Sequence, residues 1–143
     1  MEPWMEIVWR KGRHYMSYYF SKTVQTTFDD AVSRVIEELK KEGFGVLTDI
    51  DVKETLKKKL NVDFRKYRIL GACNPQYAYK ALEAEDKIGT MLPCSVIVQE
   101  IAGVGAEVAA IDPAASMQAI NNSNLEEIAG QVRDKLRSVI ERV

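Results

Sequence analysis

At 143 residues, with 46% hydrophobic and 29% charged side chains, the chain has the length and composition of one ordinary globular domain. A disordered segment, a collagen-like repeat and a disulfide-stapled miniature are excluded on those figures. Lys and Arg number 20 against 21 Asp and Glu, for a formal charge of −1, so no global field draws the protein to nucleic acid or to an anionic membrane.

No apolar run approaches the roughly 18 residues of a membrane span. Residues 1–14 also lack the continuous apolar stretch and small-residue cleavage site of a signal peptide. A cytoplasmic location without membrane attachment is therefore expected, with a leader over 1–14 ahead of one domain over 15–143. Cys73 and Cys94 fit neither a CxxC pair nor a zinc pattern, so reduced thiols are expected. The only histidine, His14, falls in the leader.

Aromatic and β-branched residues over 15–24 predict a first strand. Phe28, Ala31, Val32, Val35, Ile36 and Leu39 then recur at helical spacing, with Thr27 as N-cap, Asp29 and Asp30 in the first turn and Gly43 as the stop. Residues 44–50 predict a second strand, and Asp51 with Glu54 three residues on forms an aspartate capping box for a helix ending near Leu60. A third strand covers 67–73. Asn74-Pro75 pairs a good N-cap with a good first helical residue, predicting a helix to about Ala84 that buries Ala78, Ala81 and Leu82.

Residues 94–101 and 106–111, joined near Ala102-Gly103, predict a hairpin. Pro113 ends the sheet. The last helix is expected to begin at Ser123, with Glu126 completing a capping box. Its apolar stripe is Leu125, Ile128, Ala129, Val132, Leu136, Val139, Ile140 and Val143. The order β-α-β-α-β-α-β-β-α predicts an α+β fold: a single, mostly antiparallel sheet of about five strands with helices packed on one face.

Three groups of residues carry chemistry. If strands three and four are antiparallel neighbours, Cys73 and Cys94 share one edge of the sheet beside the helix that opens at Asn74. Its first amides could lower a thiol pKa or hold an anion. Free cysteine is equally at home as a small buried hydrophobe, and two thiols are too few for a closed zinc site. Asp49, Asp51 and Asp112 stand at strand ends, where carboxylates can converge for a metal or for acid-base work. A capping role for Asp51 and Asp112 and a solvated edge for Asp49 explain them as well. Glu100 falls in register with Val96 and Val98, as an inward carboxylate or as part of a fraying strand end.

The segment 53–68 is locally basic: Lys53, Lys57, Lys58, Lys59, Arg65, Lys66 and Arg68 stand against Glu54 and Asp63, with Phe64 and Tyr67 among them. That pattern suits a phosphate or single-stranded nucleic-acid contact. It equally suits the solvated face of a helix whose apolar side is Val52, Leu56 and Leu60. No P-loop, GxGxxG, HExxH or GxSxG occurs. With one imidazole in the chain a Ser-His or Cys-His nucleophile is not expected, which weakens the case for an enzyme.

Several stretches together resemble the domain of unknown function 302, found mainly in bacteria and archaea. They are 44–51 (Phe-Gly-Val-Leu-Thr-Asp-Ile-Asp), 67–75 (Tyr-Arg-Ile-Leu-Gly-Ala-Cys-Asn-Pro), 92–94 (Leu-Pro-Cys) and 111–113 (Ile-Asp-Pro), in family order. The resemblance runs from about Tyr15 to Val143. It implies a small α+β domain that tends to form dimers, and it brings no established activity, cofactor or catalytic residue. Residues 1–14 depart from the short N-terminus of the family.

The leading expectation is a non-enzymatic homodimer that binds a small ligand or ion where 71–75, 91–94 and Asp49 meet, with Cys73, Asn74, Cys94 and Asp49 as ligand-binding residues. The alternatives are a thiol-based redox protein or enzyme using Cys73 and Cys94 and, with less support, nucleic-acid binding through 53–68. The sequence names no cofactor.

Overall fold

The computed structural model describes residues 17–143. The expected leader, with His14, and the first two residues of the expected first strand, Tyr15 and Met16, lie outside the described residues. Five strands form one sheet: β1 Tyr19–Val24, β2 Gly45–Asp51, β3 Tyr67–Cys73, β4 Cys94–Ile101 and β5 Gly105–Ile111. Their order is β1-β5-β4-β3-β2, and every neighbouring pair is antiparallel. The fold is α+β, as the sequence pattern predicts.

Side chains alternate across a strand. One face carries Phe20 and Val24, Leu70 and Ala72, Cys94, Val96 and Val98, and Ala106, Val108 and Ala110, all buried. Two long helices cover that face: α1 Phe28–Lys41 and the C-terminal α5 Ser123–Arg142. Their stripes Ala31, Val32, Val35 and Leu39, and Val132, Leu136, Val139 and Ile140, complete the main core. Thr27 caps α1 through Asp30 N at 3.1 Å. The cap of α5 is Asn122, one residue before the expected Ser123; its side chain accepts from the amides of Asn124 and Leu125. Asparagine fills that position as well as serine does.

Helix α2 Val52–Leu60 starts at Asp51, whose carboxylate accepts from Glu54 N at 3.0 Å. None of its residues is buried, so the expected apolar side of Val52, Leu56 and Leu60 is not packed into the core. Side chains tether it instead: Lys53 donates to the Phe64 carbonyl at 2.8 Å, and Lys57 pairs with Asp63. Helix α3 Pro75–Ala84 buries Ala81, while Leu82 is exposed and Ala78 half-buried.

Two short elements were not expected. A 3-10 turn spans Asp86–Met91, and α4 Pro113–Ser116 follows β5. They build a second apolar cluster of Ala81, Ile88, Met117, Leu125 and Ala129 beside the main one. Asp112 opens α4, accepting from the amides of Ala114 and Ala115 at 3.0 and 3.3 Å.

The C-terminal ends of α1 and α5 are tied by charge. Glu38, buried apart from its edge, accepts from Lys41 and from Arg142 at 2.8 Å each, and Arg142 also reaches Glu42 at 3.0 Å. Lys41 first and Arg142 second hold the Glu38 carboxyl below its ordinary 4.5. A depressed folded pKa contributes stability above the unfolded value, and that contribution is lost as pH falls through the folded one. Glu38→Gln should therefore lower the urea midpoint at pH 7, and the gap to the parent protein should begin to narrow below about pH 4.5 and close as the pH falls through the lower folded value. A gap unchanged down to pH 3 in the same titration would show that the carboxylate's charge plays no part.

Candidate apolar pocket at the sheet end

Antiparallel pairing of β3 with β4 sets Ala72 opposite Cys94, so the last residue of β3, Cys73, and the first of β4 meet at one end of the sheet. Helix α3 rises from the same end, immediately after Asn74. Between this corner and helix α5 lies a cavity of about 250 Å³. Cys73, Asn74 and Cys94 all border it.

The cavity follows the seam between the two apolar clusters. Phe44, Ala72 and Val132 line it from the main core, and Met117, Leu125 and Ala129 from the smaller one. Its walls are apolar apart from the thiols, Asn74 and Tyr77. Space is left there because alanines face one another: Ala72 on β3, Ala78 and Ala81 on α3, and Ala129 on α5. Longer side chains at those points would fill a core that is otherwise close-packed.

Asn74 occupies the N-cap position of α3 but makes no side-chain cap there. Its amide instead donates to the Glu42 carbonyl at 3.1 Å, fastening the mouth of the pocket to the end of α1. That contact explains Gly43: its φ is +87°, which favours glycine, and a Cβ there would stand 3.2 Å from the Asn74 amide nitrogen.

Asp49 is not among the residues bordering the cavity. It lies on edge strand β2, where Arg68 grips it with both arms; the Arg68 Nε donates at 2.7 Å and the second guanidinium nitrogen pairs with the other oxygen. That bond first, joined by the arginine charge, holds its carboxyl below the ordinary range against the opposing effect of burial. Asp51 and Asp112 cap helices at their own strand ends. The three carboxylates do not converge, and among the described residues no group of three or more His, Cys, Asp or Glu is arranged to hold a metal ion. Glu100 faces the helix side opposite Ala106, half-buried near the end of β4.

Leu92 and Pro93, within the expected segment 91–94, border the cavity, and so do two residues that the strand-and-turn pattern left out of any site, Pro113 and Met117. Their signal was present. Asp112-Pro113 has the same cap-then-proline chemistry as Asn74-Pro75 and marks a helix start, which is what carries Met117 to the pocket.

The fold and this corner define a small α+β domain with an apolar pocket where two strand ends meet a helix start. The family model of the domain of unknown function DUF302 matches residues 20–143, and the chain belongs to that family. It is similar to the crystal structure of an uncharacterized conserved DUF302 protein from Bacillus stearothermophilus. The two share 31% identity at a TM-score of 0.82, over 88% of this chain and 98% of that one. No curated protein matches it.

Burial, and then the charge of Cys73, push the Cys94 thiol up from 9.0 to about 11. Each unit is a tenfold loss of thiolate at neutral pH, so Cys94 should react with a disulfide reagent at pH 7 roughly a hundredfold more slowly than an ordinary thiol. Stopped-flow comparison of Cys73→Ser with Cys94→Ser isolates each thiol; a Cys94 as fast as free cysteine would contradict the burial argument.

Proposed function

We propose that this domain is a non-enzymatic, cytoplasmic homodimeric module that binds a small ligand in the pocket bordered by Cys73, Asn74 and Cys94. The observation that carries the reading is the pocket itself: apolar walls, with two thiols and one amide side chain at the corner where β3, β4 and α3 meet. Ligand sites are typically concave and apolar with a few placed polar groups. Both cysteines are free, in keeping with a reducing compartment. No helix among the described residues is long and apolar enough to cross a membrane.

Support for the homodimer comes from the other face of the sheet, which no described helix covers. Ile50, Ile69 and Ile97 lie side by side across β2, β3 and β4, and Tyr67 and Tyr19 stand on the same face. A second copy would shield that row from water. Redox chemistry gains nothing from Cys94, whose pKa moves away from the reactive range. Nucleic-acid binding gains little, because Lys53, Lys57, Lys58, Arg65 and Arg68 already hold acceptors within the chain.

Two measurements test the reading. Octanoate, indole or another small apolar probe should raise the melting temperature, since a ligand at about a hundred times its Kd stabilises the folded state by about 2.7 kcal/mol. Ala78→Phe, which fills the cavity from its half-open side, should abolish that rise; a panel of such probes with no effect on the parent protein would end the proposal. Light scattering should give twice the chain mass, and Ile97→Asp should halve it with the circular dichroism spectrum kept. A monomeric parent protein would remove the dimer alone.

A further inference from the structure

The two edges of the sheet differ. β2 carries a register shift between Val46 and Thr48, one of the devices that blunt an edge against pairing. β1 runs in unbroken register against β5 from Tyr19 to Val24. Its one lysine, a residue type that often protects an edge, is turned away: the Lys22 ammonium donates to the Glu141 and Val143 carbonyls at the end of α5.

The amide of Asp112 donates to the Tyr18 carbonyl at 2.7 Å, so the backbone groups of Tyr18 point to the β5 side. Alternation turns those of Phe20, Lys22 and Val24 the same way and those of Tyr19, Ser21 and Thr23 outward. The outward groups of Tyr19 are met by the Ser17 hydroxyl, which accepts from the amide at 3.3 Å and donates to the carbonyl at 3.0 Å. Those of Ser21 and Thr23 have no partner among the described residues.

A cleft of about 620 Å³ lies beside this strand. Phe20 and Ser21 both border it, and consecutive side chains of a strand turn to opposite faces, so the cleft follows the edge itself. Arg133, Arg137 and Ile140 of α5 form the wall across from them, with Gln118 just beyond α4. The Arg137 guanidinium stands 4.9 Å over the Phe20 ring and has no hydrogen bond or ion pair among the described residues. Arg133 meets its chain neighbour Asp134 at 3.2 Å. Two carboxylates also border the cleft. Asp112 is committed to the amides of Ala114 and Ala115, and Glu141 stands at the end where the Lys22 ammonium lies.

Unpaired strand groups suit another strand, and an unpaired guanidinium suits a carboxylate. We propose that β1 is a docking edge for an extended acidic segment of a partner protein, which adds to the sheet as a sixth strand through the Ser21 and Thr23 backbone and places a carboxylate on Arg137. The cleft shares no described residue with the apolar pocket, so this reading and the one above stand or fall separately.

The test is fluorescence anisotropy of the full chain with a labelled six-residue peptide of valine and threonine around one glutamate, amidated at its C-terminus. Saturable binding is expected. Replacing the glutamate by glutamine, or using Arg137→Gln, should each weaken it about tenfold, and the two changes together should cost no more than one. N-methylation of one alternate set of peptide amides should abolish binding, and of the other set should not. Ser21→Pro removes an outward N–H, a change an edge strand tolerates, and should weaken binding while the circular dichroism spectrum is kept. Hydrogen exchange at the Ser21 and Thr23 amides should slow when the peptide is bound. Absence of binding, equal effects of the two methylated sets, or unchanged binding in Arg137→Gln would each overturn the proposal. Protection of those two amides that rises with protein concentration and without peptide would give the edge to a second copy, and would overturn it as well.

Discussion

The register between β3 and β4 is the constraint on which the rest depends. With Ala72 opposite Cys94, the alternation puts Leu70, Ala72, Cys94, Val96 and Val98 on one face, where α1 and α5 cover them. A slip of one residue would turn Ile69, Ile97 and Ser95 toward the helices and expose the valines. The same register brings two strand ends to one corner, so the core and the pocket have a common cause.

Helices α1 and α5 are held in place by more than apolar burial. Glu38 and Glu42 meet Arg142 and Lys135, and Lys22 on β1 donates to the carbonyls of Glu141 and Val143 at the end of α5. Glu42 also supplies the carbonyl that Asn74 grips, so the ionic tie between the long helices continues to the mouth of the pocket. Stability and site geometry are coupled there through one residue.

The pocket exists because two apolar clusters abut without merging. Alanines at 72, 78, 81 and 129 keep the walls apart, while α4 brings Met117 to the far side, with Ile88 of the 3-10 turn packed in the cluster to which Met117 belongs. Edge strand β2 contributes little burial, and its extra residue between Val46 and Thr48 leaves Leu47 largely in solvent beside the same opening. An incompletely filled corner in a molecule this small is a place where function and packing compete.

Periodicity and capping chemistry were enough to read the five strands, the long helices α1 and α5, and helices α2 and α3, because those signals are local. Thr27, Asp51 and Asp112 act through neighbours within three residues, and each could be recognised on that scale. That the strand ends carrying Cys73 and Cys94 reach one corner of the sheet was legible as well, since it follows from antiparallel pairing of consecutive strands. Asp49 paired with Arg68 and standing away from the cavity was not legible, nor was the transfer of Asn74 from its helix to the Glu42 carbonyl; both bonds join residues far apart in the chain. Leu82 and Ala78 read as core by spacing alone, yet they border open space, because whether an apolar stripe is covered depends on the element packed against it. Local sequence determined which segments are strands and helices and which face of each is apolar; only the tertiary packing decided where those faces close and where they leave a pocket, since a void belongs to no single segment.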